Sequence, residues 1–141
     1  MSKTAVVYFS GTGNTEAMAK AVVEGAKNAS GEVDLFTSGE FYASKLDDYD
    51  AVAFGCPAMG AEVLEETEFD PMFTDCEPKL KGKKIALFGS YGWGDGEWMR
   101  NWEERCLTNG AVFACDYVIC NEYPDDEAIE KCKALGEALA K

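Results

Sequence analysis

The chain has 141 residues, 47% of them hydrophobic, and sets 13 Lys and Arg against 26 Asp and Glu for a formal net charge of −13. That length fits a single domain over residues 1–141; no apolar run nears the roughly 20 residues needed to span a bilayer and no basic-then-apolar leader opens the chain, so the expectation is a cytoplasmic protein. The acidic balance repels nucleic acid and anionic lipid, which argues against either as a partner, and it favours proteins with basic surfaces.

Residues 3–9, KTAVVYF, form a near-continuous apolar run and are predicted as a buried strand. The run stops at Ser10-Gly11-Thr12-Gly13-Asn14-Thr15. Beyond it, Ala17, Met18, Ala21, Val22 and Gly25 follow helical spacing and predict a helix over 14–29. GEVDLF, 31–36, alternates as a second strand, and 40–48 is read as a short helix. Further strands are predicted at 49–56, 83–90 and 111–119, and helices at 68–77, 95–109 and 125–140. This alternation implies right-handed crossovers and an α/β fold, a doubly wound five-stranded parallel sheet with helices on both faces. Ligands of such sheets sit beyond the carboxyl ends of the strands, which directs attention to the loops at 10–15, 56–66 and 90–98.

The first loop combines two glycines, which let a ligand approach the backbone, with the hydroxyls of Ser10, Thr12 and Thr15 and the amide of Asn14. It opens a helix, whose first amides and dipole attract anions. The result is an anion cradle that needs no Lys or Arg. A helix cap by Thr12 or Asn14 is the simpler reading of any one of these residues; six in a row exceed what a cap requires. The loop lacks the Lys of a P-loop, and Glu16 stands where a dinucleotide fingerprint needs its third Gly. A phosphate monoester is therefore favoured over a pyrophosphate or triphosphate.

In the third loop, Ser90-Tyr91-Gly92-Trp93-Gly94, Trp93 sits between glycines at a strand end and reads as offered to a ligand. Trp98 and Trp102, on the following helix, read as core. In the second loop, Pro57-Ala58-Met59-Gly60-Ala61-Glu62, Met59 is either a gap-filler or the cover of a planar ring's other face. The six cysteines, Cys56, Cys76, Cys106, Cys115, Cys120 and Cys132, include no C-x-x-C pair, and the chain has no His, so no metal site is expected and they read mostly as small buried hydrophobes.

The motifs SGTGNT, GCPAMGAEVLEE and LFGSYGWGDGEWM, met in this order at successive predicted strand ends, resemble the short-chain, clostridial-type flavodoxins over essentially the whole chain. The resemblance implies strand order 2-1-3-4-5 and FMN as cofactor. It implies that Ser10, Gly11, Thr12, Asn14 and Thr15 hold the phosphate, with Gly13 in the same loop. Trp93 would stack on one face of the isoalloxazine and Met59 lie on the other. Gly60 would present its carbonyl to flavin N5, Glu62 would bond N3, and the backbone of Gly92 and Gly94 the pyrimidine edge. Pro57, Ala58, Ala61, Ser90 and Tyr91 complete the loops. Pro57 stands where some members carry Ser, and Ala61 where some carry an acidic or hydroxyl residue.

The reading that follows is a monomeric, low-potential, one-electron carrier working between redox enzymes, a flavoprotein of electron transport with no catalytic acid, base or nucleophile of its own. Five carboxylates, Glu62, Glu65, Glu66, Glu68 and Asp70, and two more at Asp95 and Glu97, suggest a source for a low potential. A carboxylate about 10 Å away opposes a new negative charge by roughly 0.4–1.7 kcal/mol for effective dielectrics of ~80 to ~20. The nearest rival is an FMN-dependent NAD(P)H:quinone reductase of the same fold, for which the chain lacks the usual insertions. A phosphate-switched regulatory domain would need acidic residues after the first strand and an Asp after the third, where Ser10-Gly11 and Cys56-Pro57 stand.

Overall fold

Strand β1 (Lys3–Tyr8) explains its own continuous apolar run, because both of its faces are covered. Ala5 and Val7 enter one core cluster, and Val6 and Tyr8 enter the other. In the computed structural model, which describes residues 3–29, 31–59, 63–92 and 94–141, β1 is followed by α1 (Asn14–Asn28), β2 (Glu32–Thr37), β3 (Ala51–Gly55), α2 (Phe69–Cys76), β4 (Lys84–Tyr91), α3 (Glu97–Thr108), β5 (Val112–Phe113), β6 (Val118–Asn121) and α4 (Asp126–Ala140). Short 3-10 helices occupy Ser38–Glu40, Ala43–Asp48 and Glu77–Lys79.

The strands form one parallel sheet in the order β2-β1-β3-β4-β5, with β6 also paired to β4. The expected order 2-1-3-4-5 therefore holds, with one correction. The single fifth strand predicted over 111–119 is two strands. Ile85 pairs with Phe113 and Phe88 with Val118, so three steps along β4 are matched by five along its neighbour. The surplus residues leave the ladder, and β5 and β6 pair with opposite ends of β4. The short helix expected at 40–48 is a 3-10 helix over Ala43–Asp48, preceded by a 3-10 turn at Ser38–Glu40.

Helices α1 and α4 cover one face, packing Met18, Val22, Leu135 and Leu139 on Val6, Ala53 and Phe88. Helices α2 and α3 cover the other, packing Phe69, Phe73, Trp98 and Trp102 on Val7, Phe54 and Leu87. Trp98 and Trp102 are each 2% exposed, the core role expected of them. The α1–α4 contact is close enough to exclude side chains at two points. A Cβ on Gly25 would stand 1.9 Å from the Lys133 carbonyl oxygen, and one on Gly136 would stand 2.1 Å from that of Val22. Of the cysteines, Cys56, Cys76, Cys106 and Cys132 are buried, and burial pushes the thiols of the last three up to about 12.

Candidate cofactor site

β1 and β3 end side by side, Phe9 N–H donating to the Gly55 carbonyl at 3.0 Å, and the loops beyond β1, β3 and β4 open onto one cleft. The cleft has a volume of about 410 Å³, within the usual range for small-molecule sites. Gly11, Thr12 and Asn14 line it from the first loop, Pro57, Ala58 and Met59 from the second, and Ser90, Tyr91 and Gly92 from the third. Three loops that the sequence singled out separately thus meet at one place.

The first loop is shaped by Gly13. It takes φ +93°, a left-handed conformation that suits glycine, at the N-cap of α1. No side chain caps the helix, so the cap by Thr12 or Asn14 is not what forms. Instead Ser10 Oγ accepts the Gly13 amide hydrogen at 2.9 Å and folds the loop back on itself. A Cβ at Gly11 or Gly13 would meet nothing within 4 Å, which leaves the backbone open to a ligand. The first-turn amides of α1 have no intrahelical acceptor and carry the positive end of the helix dipole. Glu16, the acidic residue of this first turn, does not line the cleft: its carboxylate accepts the Tyr8 hydroxyl at 3.1 Å on the other side of the loop. Burial first, and Glu16 second, push the Tyr8 phenol above its usual range.

The second and third loops brace each other. Ala58 N–H donates to the Ser90 carbonyl at 3.0 Å, and Met59 and Val63 exchange backbone bonds at 2.9 and 3.1 Å. Met59 is 38% exposed at the cleft, so it is no core gap-filler. Trp98 Nε1 donates to the Cys56 carbonyl at 3.1 Å and ties the base of the second loop to α3. Gly60, Ala61, Glu62 and Trp93 lie outside the described residues.

The acidic stretch after the second loop is more structural than its composition suggests. Glu65 is 6% exposed. Its Oε1 accepts the amides of Glu68 and Phe69 at 2.7 and 2.8 Å, and its Oε2 accepts Thr67 N–H at 2.9 Å and the Thr67 hydroxyl. Burial alone would raise this carboxyl, but the four hydrogen bonds outweigh it and hold it down to about 2. Glu68 accepts the Ser38 hydroxyl, Asp70 pairs with Arg105 at 3.0 Å and Asp95 with Arg100 at 3.0 Å. Several carboxylates expected to act as a free field are thus locally engaged, which reduces their share of any field at the cleft.

Two lining residues were missed by the sequence reading, Glu122 and Tyr123. The apolar run that predicts the fifth strand ends at 119, two residues short of β6, so the turn after β6 does not stand out in the sequence as a strand-end loop. The signal was available in Asn121-Glu122-Tyr123-Pro124, turn residues between a strand and a helix.

The flavodoxin family model matches residues 6–136. A flavodoxin from Megasphaera elsdenii is 50% identical over 139 residues, covering 96% of this chain and 97% of the relative. The chain belongs to the flavodoxin family. A flavodoxin from Clostridium beijerinckii is 44% identical over 135 residues, with 96% and 97% coverage. The solution structure of two-electron reduced Megasphaera elsdenii flavodoxin superposes with a TM-score of 0.90 at 47% identity, covering 97% of this chain and 98% of that one.

Flavodoxins bind FMN, and the cleft of this flavodoxin fits that group on an observation of its own. Thr15 Oγ1 is buried at the start of α1 and has no hydrogen-bond partner, although buried hydroxyls are almost always paired. It follows the lining residue Asn14 in a first turn whose amides lack intrahelical acceptors and whose loop glycines are open, the arrangement a phosphate monoester completes.

Proposed function

We propose that the chain is a low-potential, one-electron carrier that shuttles electrons between redox enzymes with FMN held in the cleft beyond β1, β3 and β4. Membership of the flavodoxin family makes it an FMN-binding electron-transfer protein rather than an enzyme. The observation that carries the site assignment is the meeting of three loops at one cleft whose described lining holds no Lys or Arg; the Thr15 hydroxyl, next in sequence to the lining residue Asn14, lacks a partner among the described residues, as Thr4 Oγ1 and Trp102 Nε1 also do. Bound FMN supplies a ring that accepts and returns electrons; the residues of the chain bind it, orient it and set the field around it.

In this reading Ser10, Gly11, Thr12, Gly13, Asn14 and Thr15 hold the phosphate through amides and hydroxyls. Pro57, Ala58 and Met59, continued by Gly60, Ala61 and Glu62, border one side of the ring. Ser90, Tyr91 and Gly92, continued by Trp93 and Gly94, border the other. Phosphate charge is met by the dipole of α1 rather than by a side-chain cation, which leaves the cleft without Lys or Arg among its described lining residues. The molecule acts as a single domain and a monomer in the cytoplasm, and its partners dock with basic surfaces. The net charge of −13 supports the last point. No helix among the described residues is long and apolar enough to cross a membrane.

The test is a titration of apo-protein with FMN and with riboflavin, followed by stepwise reduction under optical detection and an assay with NADH and a quinone. FMN binding tighter than riboflavin binding, reversible bleaching on reduction and no turnover with NADH support the carrier. Sustained quinone reduction from NADH would return the reductase reading.

A further inference from the structure

We propose that Tyr123 is a further cofactor-contacting residue, closing the ribityl and phosphate end of the cleft and offering its phenolic O–H to an oxygen there; this rests on the reading that FMN occupies the cleft. Tyr123 is 68% exposed, yet it lines the same cavity as Gly11, Thr12 and Asn14. It also lines a neighbouring groove with Asp125, Glu127 and Lys131, so with Tyr91 it stands between cleft and groove.

The turn that presents it is built rather than loose. Glu122 has φ 58°, the one positive φ at a non-glycine among the described residues. Its amide donates to the Tyr91 carbonyl at 2.7 Å, and its carbonyl accepts Ser90 Oγ at 2.6 Å. Asn121 Nδ2 adds a bond to the Tyr91 carbonyl at 3.3 Å. Pro124 then fixes the chain as it enters α4, which Asp125 caps by accepting the Ala128 amide at 2.8 Å. A strained conformation held by this many bonds marks a position whose direction matters.

The fold decides which end of the cleft Tyr123 guards. The loop at 10–15 leads into α1 and the turn at 122–123 leads into α4, and those two helices pack together on one face of the sheet. Tyr123 therefore stands on the phosphate-loop side. No Lys or Arg lines the cleft among the described residues, so each neutral donor counts toward holding a phosphate.

Two measurements test this. FMN dissociation is followed by recovery of flavin fluorescence for the parent, Tyr123→Phe and Tyr123→Ala. The phenylalanine variant is expected to release FMN a few times faster and the alanine variant about ten times faster, from loss of one hydrogen bond and then of the covering ring. Separately, the parent is nitrated with tetranitromethane with and without FMN and the sites mapped, with the 57% exposed Tyr42 as internal reference. FMN is expected to slow nitration of Tyr123 and leave Tyr42 unchanged. Hydrogen exchange at the amides of Ala58 and Met59 and of residues 90–92 is recorded on the same samples. If those amides gain protection while Tyr123 nitrates at the same rate and all three proteins release FMN alike, the Tyr123 assignment falls alone. If neither the amides nor Tyr123 respond to FMN, the cleft assignment falls with it.

Discussion

Ser10 Oγ accepts the amide hydrogen of Gly13 at 2.9 Å, while the hydroxyl of Thr15, on the adjoining first turn of α1, has no hydrogen-bond partner among the described residues. The loop spends one hydroxyl on its own shape and keeps another in reserve. An unpaired buried hydroxyl costs stability in the apo-protein, so its removal is cheap there. Thr15→Val is therefore expected to leave the apo-protein's melting temperature unchanged or slightly higher. The same change is expected to weaken FMN binding by about tenfold or more, since a hydrogen bond to a charged group contributes roughly 1.5–3 kcal/mol. Riboflavin, without a phosphate, serves as the control and should bind as before. A loss shared equally by both ligands would place the Thr15 hydroxyl elsewhere than at the phosphate.

Gly13 tests the backbone half of the cradle. A Cβ there meets open space, so the cost of a substitution is conformational rather than steric. At φ +93° a β-branched residue is strained by roughly 1–2 kcal/mol or turns the loop out of place. Gly13→Val is expected to lower FMN affinity far more than riboflavin affinity in a fluorescence titration.

Glu65 makes the acid limb of the stability profile informative. Its carboxyl is held down to about 2 in the folded protein, against an ordinary value of 4.5. A depressed folded value means that the charged form contributes stability above pH 4.5 and that this contribution is lost as the pH falls toward 2. In Glu65→Gln, the bonds to Thr67 at Oε2 are replaced by an NH2 group that cannot accept them. The variant is expected to unfold about 2 kcal/mol more easily at neutral pH, on the order of the shift seen here. The gap between variant and parent should close as the pH drops through that window. Comparing the two proteins at each pH removes the background change as the other carboxylates lose their charge.

Gly25 and Gly136 predict the sensitivity of the α1–α4 face. Each would place a methyl group against a carbonyl oxygen of the opposite helix, which only a shift of the helices relieves. Gly25→Ala and Gly136→Ala are each expected to cost roughly 1–3 kcal/mol in denaturant unfolding, despite the better helix propensity of alanine. Both act by separating the same two helices, so the double variant should lose less than the sum of the single losses.

The alternation of periods in the sequence was enough to give the layers, the order of the elements and three of the loops at the cleft, because strands buried on both faces and amphipathic helices leave strong patterns. It could not give the split of the fifth strand, since Ala111 to Ile119 is apolar enough to read as one run. What divides it is a mismatch in rise against β4, a relation between distant segments. The same misreading hid Glu122 and Tyr123, because a strand ended two residues early took its loop with it. Glu65 shows the opposite limit. In the sequence it is one of a row of carboxylates, and only the placement of Thr67, Glu68 and Phe69 around it turns a charge into a clasp for the start of α2.

The glycine contact between α1 and α4 also bears on the order in which the molecule is made. Met18 and Val22 on α1 find part of their cover on α4, and the carbonyls of Lys133 and Val22 lie where a Cβ on Gly25 or Gly136 would reach them. During synthesis α1 emerges well before α4 exists. Until then the apolar side chains of α1 that α4 covers in the folded molecule have no cover from that helix.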